Sequence, residues 1–299
     1  MAKRGGVHPH EECGAIVSTI GDVLSGQAQW CVLEADCSEV LPMLPHLSVD
    51  HVITDPPYGV HVHSLQRRVM TGPHRQFARQ RGGIGKDLLY HGNPVVQELG
   101  FAALSPALRR LTAMLAARVA RRWLVIKSDM EGVTDWKTDL QATGARWVRF
   151  GVWWKENAQP QLSGDRPGQG TEGFAIAHSR GQRMRWNAGG KHGRWMHAIA
   201  TDRNRTGERV HTTQTPLPLW LEIVEDFTDP GDLVLDPFCG SGSLGITCVR
   251  LGRRYLGMDN GKDAQGKPWA EWAREGIAAE EQGLSRGAAR AGQLGLFAV

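Results

Sequence analysis

The feature that most constrains this chain is a short apolar run, Val49 to Thr54, that ends on Asp55-Pro56-Pro57-Tyr58-Gly59. The run reads as a strand and the residues after it as a loop. A carboxylate, two residues without backbone N–H groups, an aromatic ring and a glycine then sit at a strand's carboxyl end. Open α/β sheets bind their ligands there. The five residues therefore mark a candidate site as well as the end of an element.

The flanking pattern extends the strand into a sheet. Trp30 to Asp36 is another apolar run closing on an acid, and Ser38 is placed to cap a helix through Val40, Leu41 and Leu44. Strand, helix, strand is the crossover unit of a parallel sheet, right-handed in nearly all cases. Beyond Gly59 periodicity fails until about Gly100, a length of loop that in compact domains is usually functional or mobile. Helical spacing returns at Leu104 to Arg121, and Trp123 to Ile126 reads as a buried strand. A helix near Asp135 to Thr143, a bulky run from Trp147 to Trp154, a Gly/Pro-rich loop from Gln159 to Gly173 and a strand from Phe174 to His178 come next. After Pro216, helix (Leu219 to Phe227), strand (Leu233 to Asp236), helix (Leu244 to Leu251), strand (Arg254 to Asp259) and helix (about Trp269 to Gln282) alternate. The expectation is one α/β domain over residues 29–282. A partly disordered tail of residues 1–28 precedes it and a flexible tail of residues 283–299 comes after, with a mobile basic loop at 60–100 and a basic insertion at 179–210.

Composition narrows the class. A hydrophobic content of 41% with 22% charged residues is that of an ordinary globular protein. No apolar run reaches membrane-spanning length and the start of the chain lacks the apolar segment of a signal peptide, so a cytoplasmic protein is expected. The five cysteines are odd in number and contain no Cys-x-x-Cys pair, which reads as free thiols. His8, His10, Glu11, Glu12 and Cys13 are metal-ligand types, but their spacing matches no closed site and no metal is expected. The net charge of +4 is mild. Its distribution says more: Arg67, Arg68, Arg75, Arg79, Arg81 and Lys86 occur without an acid between them, and basic residues dominate again from Arg180 to Arg209. Either stretch could hold phosphates or be a solvated surface.

A second junction carries chemistry. Asp236-Pro237-Phe238-Cys239-Gly240-Ser241-Gly242 runs from a strand through a Gly loop into a helix. Glycines let backbone approach a ligand closely, and a helix N-terminus favours polar or anionic groups. About twenty residues on, Asp259 ends the next strand, where an acid accepts ribose hydroxyls in nucleotide-binding sheets. The third glycine of the dinucleotide pattern is missing.

Phe238-x-Gly240-x-Gly242 resembles the S-adenosylmethionine loop of DNA amino-methyltransferases, and Asp55-Pro56-Pro57-Tyr58 is similar to their catalytic tetrad. The tetrad precedes the cofactor loop, as in the β-group, whose Rossmann-like sheet is circularly permuted. Further likenesses span residues 30–275. Ala35-Asp36-Cys37 resembles a Gly-Asp-Cys motif and Trp153-Trp154-Lys155 a motif near the target base. His211-Thr212-Thr213-Gln214-Thr215-Pro216 resembles a His-Pro-Thr-Gln-Lys-Pro segment that helps hold the cofactor's methionine end. Thr212 and Thr215 depart from that segment, leaving no evident charged partner for the cofactor carboxylate. Thr213 and backbone donors are left to hold it, with weakened cofactor binding as the alternative.

The resemblance implies methyl transfer from S-adenosylmethionine to an exocyclic amine of a base flipped out of double-stranded DNA. Adenine N6 is favoured over cytosine N4 because the cytosine group usually carries Ser in place of Asp55. An RNA methyltransferase and a weakened DNA-binding relative remain alternatives, and protein glutamine is disfavoured because those relatives typically start the tetrad with Asn. Asp55 and the Pro56 carbonyl would accept the two amine N–H groups. The Pro56-Pro57 pair would stiffen the turn, and Tyr58 would offer a face to the base. Cofactor binding falls to Asp36, Thr213, Asp236, Phe238, Gly240, Gly242 and Asp259, with helix capping as the other reading of Asp36. DNA contact falls to Arg67, Arg68, Lys155, Arg183, Arg185, Trp186 and Arg194. Lys155 could equally be a surface charge, and Trp186 and Trp195 could stack on bases or pack within their loop. Trp30, Trp123 and Trp220 read as core. The 179–210 segment sits where β-group enzymes place target recognition. Finally, Gln293, Leu294, Leu296 and Phe297 resemble a bacterial sliding-clamp-binding peptide, docking on the chain's own surface being the alternative, and a homodimer is a further candidate assembly.

Overall fold

The computed structural model of the chain describes residues 18–59, 68–69, 95–96, 102–158, 167–199 and 214–290. Eight strands form one sheet: β1 (Trp30–Glu34), β2 (His51–Thr54), β3 (Trp123–Ser128), β4 (Arg146–Trp154), β5 (Thr171–His178), β6 (Arg194–Met196), β7 (Leu233–Asp236) and β8 (Arg254–Asp259). Their order across the sheet is β1-β8-β7-β2-β3-β5-β4-β6. The first five are mutually parallel, β5 is antiparallel to both β3 and β4, and β6 runs parallel to β4. A separate two-residue pairing joins Arg68–Val69 to Val95–Val96.

The described helices are α1 (Ile20–Ser25), α2 (Cys37–Val40), α3 (Pro106–Val119), α4 (Gly132–Ala142), α5 (Leu217–Phe227), α6 (Ser243–Arg250), α7 (Trp269–Glu281) and α8 (Arg286–Arg290). Side chains alternate across a strand, and the core divides accordingly. Val52, Leu124, Ile126, Leu233, Leu235 and Leu256 pack with residues of α2, α3 and α4. Ile53, Trp123, Val125, Val234 and Tyr255 pack with α5, α6 and α7 on the other face. The chain leaves β7 into α6 on one face and leaves β2 for α3 on the other. Because β7 and β2 are neighbours and the helices after them lie on opposite faces, their carboxyl ends are where open α/β sheets place a ligand crevice.

Local chemistry explains the element ends, and some differ from expectation. Ser105 caps α3 through Leu108 N–H, with Pro106 in the first turn where its missing N–H costs nothing. The cap of α2 is Asp36, not Ser38: its side chain accepts from Ser38 N–H, and the helix is only one turn long before a tighter turn at Leu41–Met43. Two short helices fall within the stretches expected as tails. α1 is closed by a capping box between Thr19 and Asp22 and held by Arg254, whose guanidinium donates to the Val23 carbonyl at 2.9 Å. Arg286 of α8 donates to the carbonyls of Ser241 and Trp272 at 2.9 and 3.0 Å. Among the described residues no helix is long and apolar enough to cross a membrane, and Cys31, Cys37, Cys239 and Cys248 are free and buried.

Candidate active site

Strand β2 delivers Asp55 to the crevice, and its carboxylate is held unevenly. Oδ2 accepts from Lys127 Nζ at 2.9 Å and from the Thr215 hydroxyl at 2.8 Å. Oδ1 has no partner among the described residues. One oxygen is thus anchored and the other free to accept. Lys127 lies near the carboxyl end of the fully buried β3, and Thr215 stands just ahead of α5, so three distant stretches of chain meet on one atom.

Lys127 is itself buried, its side chain 4% exposed. Its ammonium reaches Asp55, the Tyr58 hydroxyl at 2.7 Å and Glu172 Oε2 at 2.7 Å. A lysine only donates, so the Tyr58 hydroxyl must send its own proton to Glu172 Oε2, 2.8 Å away. Lys155 pairs with the other oxygen of Glu172. Burial alone would raise the Glu172 carboxyl, but Lys127 and Lys155 reverse this and hold it down at about 2. Burial would lower the Lys127 ammonium, and the Asp55 and Glu172 charges raise it instead. Burial, then Glu172 and Asp55, push the Tyr58 phenol well up, so it stays a neutral donor. Sequence reading missed Lys127, Glu172 and Thr215. A lysine closing the apolar run Trp123-Leu124-Val125-Ile126 was the available signal, since a charge there must find a partner.

The cofactor residues divide by what their side chains do. Gly240 has φ +49° and nothing within 4 Å of where a Cβ would sit, so the loop opens to free space there. Gly242 has φ +82°, and a Cβ would lie 2.7 Å from Ala273 Cα, so this glycine lets α6 meet α7. Phe238 packs its ring partly against the α2–α4 core. Asp259 accepts from Gly240 N–H at 2.9 Å and Gly261 N–H at 2.8 Å; burial raises its carboxyl, and the two N–H groups oppose that. Asp36 caps α2 and also accepts from Asn260 at 2.8 Å, joining the ends of β1 and β8. Asp236 corrects expectation. Its carboxylate is buried and spent inside the protein, on the Thr54 hydroxyl at 2.6 Å, Phe238 N–H at 3.2 Å and the Tyr255 hydroxyl at 3.0 Å. Its role is to organise the loop, not to touch a ligand. Thr213 lies outside the described residues. Beside it the buried Gln214 Oε1 has no partner among the described residues.

The expected DNA contacts scatter. Arg67 lies outside the described residues, and of Arg68 only the backbone pairing is described. Lys155 is 14% exposed and belongs to the Glu172 cluster, so it is neither a surface charge nor a free phosphate contact. Because β5 is antiparallel to β3 and pairs His178 with Trp123, residues after His178 emerge at the amino ends of the parallel strands. Arg185 pairs there with Asp229 at 2.9 Å, its carbonyl accepts from Trp123 Nε1, and Trp186 packs against Phe227. The exposed Arg183 shares that segment. All three stand at the end of the sheet away from Asp55, which removes them from the candidate site. Trp195 is core, fully buried with Nε1 on Asp226 at 2.7 Å. Arg194 is exposed on the edge strand β6, whose Met196 lies in register with Trp154. Trp154 and Met196 are exposed beside Lys155 at the catalytic end, 51% and 44% respectively. Gln293, Leu294, Leu296 and Phe297 lie outside the described residues.

Known proteins match this arrangement. A family model described as DNA methylase matches residues 152–265, which include the Gly loop but not Asp55. Type II methyltransferase M.HinfI of Haemophilus influenzae is 24% identical over 274 residues, covering 76% of this chain and 64% of that protein. YubD of Escherichia coli strain K12 is 43% identical over 54 residues, 18% of this chain and 24% of that protein. The chain therefore spans less than two thirds of either curated relative. Among solved structures, the M1.HpyAVI–SAM complex superposes with a TM-score of 0.57 at 21% identity, covering 83% of this chain and 98% of that one. The cytosine-N4-specific PvuII DNA methyltransferase gives 0.56 at 14% identity, covering 83% and 86%. The fold is the α/β methyltransferase fold with a mixed sheet. The chain thus shares its fold with these methyltransferases and matches the DNA methylase family model over residues 152–265.

Proposed function

We propose that this chain is a β-group DNA amino-methyltransferase that methylates adenine N6 in double-stranded DNA, working in the cytoplasm. The observation that carries the reading is the divided carboxylate of Asp55, one oxygen anchored and one open, on the strand next to the Gly loop of β7. The residues present fit S-adenosylmethionine: Gly240 opens the loop to free space, Asp259 closes the neighbouring strand, and Gln214, next to Thr213, carries a buried acceptor without a partner among the described residues. When bound, S-adenosylmethionine supplies the electrophilic methyl group.

The chain's own residues prepare the other reactant. An exocyclic amine is a poor nucleophile because its lone pair is delocalised into the ring. Asp55 Oδ1 and the Pro56 carbonyl accept its two N–H groups and turn the nitrogen toward tetrahedral geometry, which returns the lone pair to it. Tyr58, its hydroxyl tied to Glu172, offers a fixed ring to the flipped base, and the exposed Trp154 and Met196 give a neighbouring surface. Asp55 in place of Ser favours adenine. Cytosine N4 stays the second reading because a cytosine-N4-specific enzyme shares the fold. Arg194 and Arg68 remain candidate phosphate contacts, the last residues of the chain a candidate clamp-binding peptide, and a homodimer a candidate assembly.

Sequencing with modification detection on DNA from cells expressing the chain returns the base and its sequence context together. Methylated adenine at a fixed site is expected, and methylated cytosine would move the reading to N4. Asp55→Ala should lower transfer to duplex DNA by about 10³-fold or more, the scale of losing a preorganised hydrogen-bonding group. No transfer by the wild type to mixed-sequence DNA, or better transfer to single-stranded RNA, overturns the proposal.

A further inference from the structure

We infer that Lys127 is the positioning residue of this active site: anchored by Glu172, it locks Asp55 Oδ2 and leaves Oδ1 as the carboxylate oxygen that meets the substrate amine beside the Pro56 carbonyl. The inference rests on the methyltransferase reading and deepens it.

Three observations lead here. First, a buried ammonium is costly unless every donor is used. The three N–H groups of Lys127 are all spent, two of them on Asp55 and Tyr58, the residues proposed to meet the base. Second, Glu172 has two cations, Lys127 and Lys155. A simple structural pair needs one. The second keeps Glu172 ionised, so Lys127 is held from behind while it holds Asp55 in front. Third, the same cluster sets Tyr58. Its hydroxyl accepts from Lys127, donates to Glu172 and is fixed in direction, which fixes the ring as well. The Lys127 ammonium lies 5.2 Å from the Tyr58 ring centroid and 5.5 Å from that of Trp153, so two aromatic rings flank this buried charge. Taking Lys127 away would leave two carboxylates facing each other and free Asp55 to turn about its side-chain bonds. Within the cluster only Asp55 and Tyr58 are proposed to meet the DNA, and only at the flipped base, while the Gly loop of β7 and Arg194 are not part of it, so the loss falls on the rate far more than on affinity.

The test uses the full chain in single-turnover methyl transfer to duplex DNA carrying its site. Lys127→Met should lower the rate by about 100-fold, within the range seen for lost preorganised groups, while the Kd values for DNA and S-adenosylmethionine stay within about threefold. Lys127→Ala should regain at least about tenfold in rate on adding ethylammonium and nothing on adding ethanol, a response to charge that a filler role would not give. On the unloaded protein, melting temperatures of Lys127→Met, Asp55→Asn and the double variant should be non-additive, the Lys127 loss shrinking once Asp55 is neutral. Should Lys127→Met fail to fold, Glu172→Gln keeps the lysine and loosens its anchor, and a loss of about tenfold in rate at unchanged affinity is expected. An active wild type with Lys127→Met or Glu172→Gln within threefold of it overturns the role of Lys127 alone, as does an additive melting cycle. An inert wild type overturns the methyltransferase reading and this inference with it.

Discussion

Thr215 donates to the oxygen of Asp55 that Lys127 also holds, and it is the residue at which this chain departs from the expected lysine. A hydrogen bond to a charged group contributes about 1.5–3 kcal/mol. Thr215→Val should therefore slow methyl transfer by about tenfold to a hundredfold, with S-adenosylmethionine affinity unchanged by calorimetry. An unchanged rate would mean that Lys127 alone suffices. The roles of single residues are only partly legible in the sequence. Asp55 and Gly240 announce themselves by their neighbours in sequence, as a carboxylate before two prolines and a glycine in a turn. Thr215 and Lys127 do not, because what matters is a contact across 160 and 72 residues of chain. Lys155 and Trp195 mislead in the other direction: a charge and an aromatic beside glycines look exposed, yet one is neutralised by Glu172 and the other sits in the core.

At the scale of elements, the two glycines of the β7–α6 loop do different work, and substitution should separate them. Gly242→Ala forces a Cβ to 2.7 Å from Ala273 Cα and keeps φ at +82°. It must push α6 off α7, at about 2–4 kcal/mol for overpacking plus a left-handed backbone. Gly240→Ala meets nothing within 4 Å, so only the backbone term of about 1–2 kcal/mol applies. Thermal unfolding should show a large drop in Tm for Gly242→Ala and a small one for Gly240→Ala. Calorimetry should show the greater loss of S-adenosylmethionine affinity per degree of Tm lost at Gly240, where a methyl would enter the open space. Equal effects on both readouts would contradict this division. The regular elements themselves are well marked in the sequence, since α3, α5 and α7 are long enough for a helical period to show and β7 and β8 are short apolar runs closing on acids. Pieces of three to six residues, α1, β6 and α8, fall below the length at which a period exists. Only their caps and tertiary contacts hold them.

Over the whole molecule, the polarity of the sheet decides which residues can act together. Asp36, Asp55, Asp236 and Asp259 all end parallel strands at one edge, and that much comes from the alternation of strand and helix. The antiparallel β5 turns the chain round, and this non-local pairing sends Arg183, Arg185 and Trp186 to the opposite edge although they share a basic stretch with Arg194. Across the working edge, Asp236 ties three strands together through Thr54 on β2 and Tyr255 on β8. Burial pushes its carboxyl up to about 7, against the opposing pull of the Thr54 hydroxyl, Phe238 N–H and Tyr255 hydroxyl and with a further push from Asp55. The group has an ordinary value of 3.8 when unfolded. Between those values the folded chain binds the proton and the unfolded chain does not, so stability falls as pH rises. The contribution is fully present below about pH 4 and is lost by about pH 7, at no more than about 1.4 kcal/mol per pH unit. Asp236→Asn keeps the shape and cannot titrate. Denaturant unfolding at pH 5, 6 and 7 should therefore show the stability of the wild type, measured relative to Asp236→Asn, falling by about 2 kcal/mol across that range. A difference that stays constant would place the Asp236 carboxyl at its ordinary value. A difference that rises with pH would mean that its three donors outweigh burial and hold it ionised.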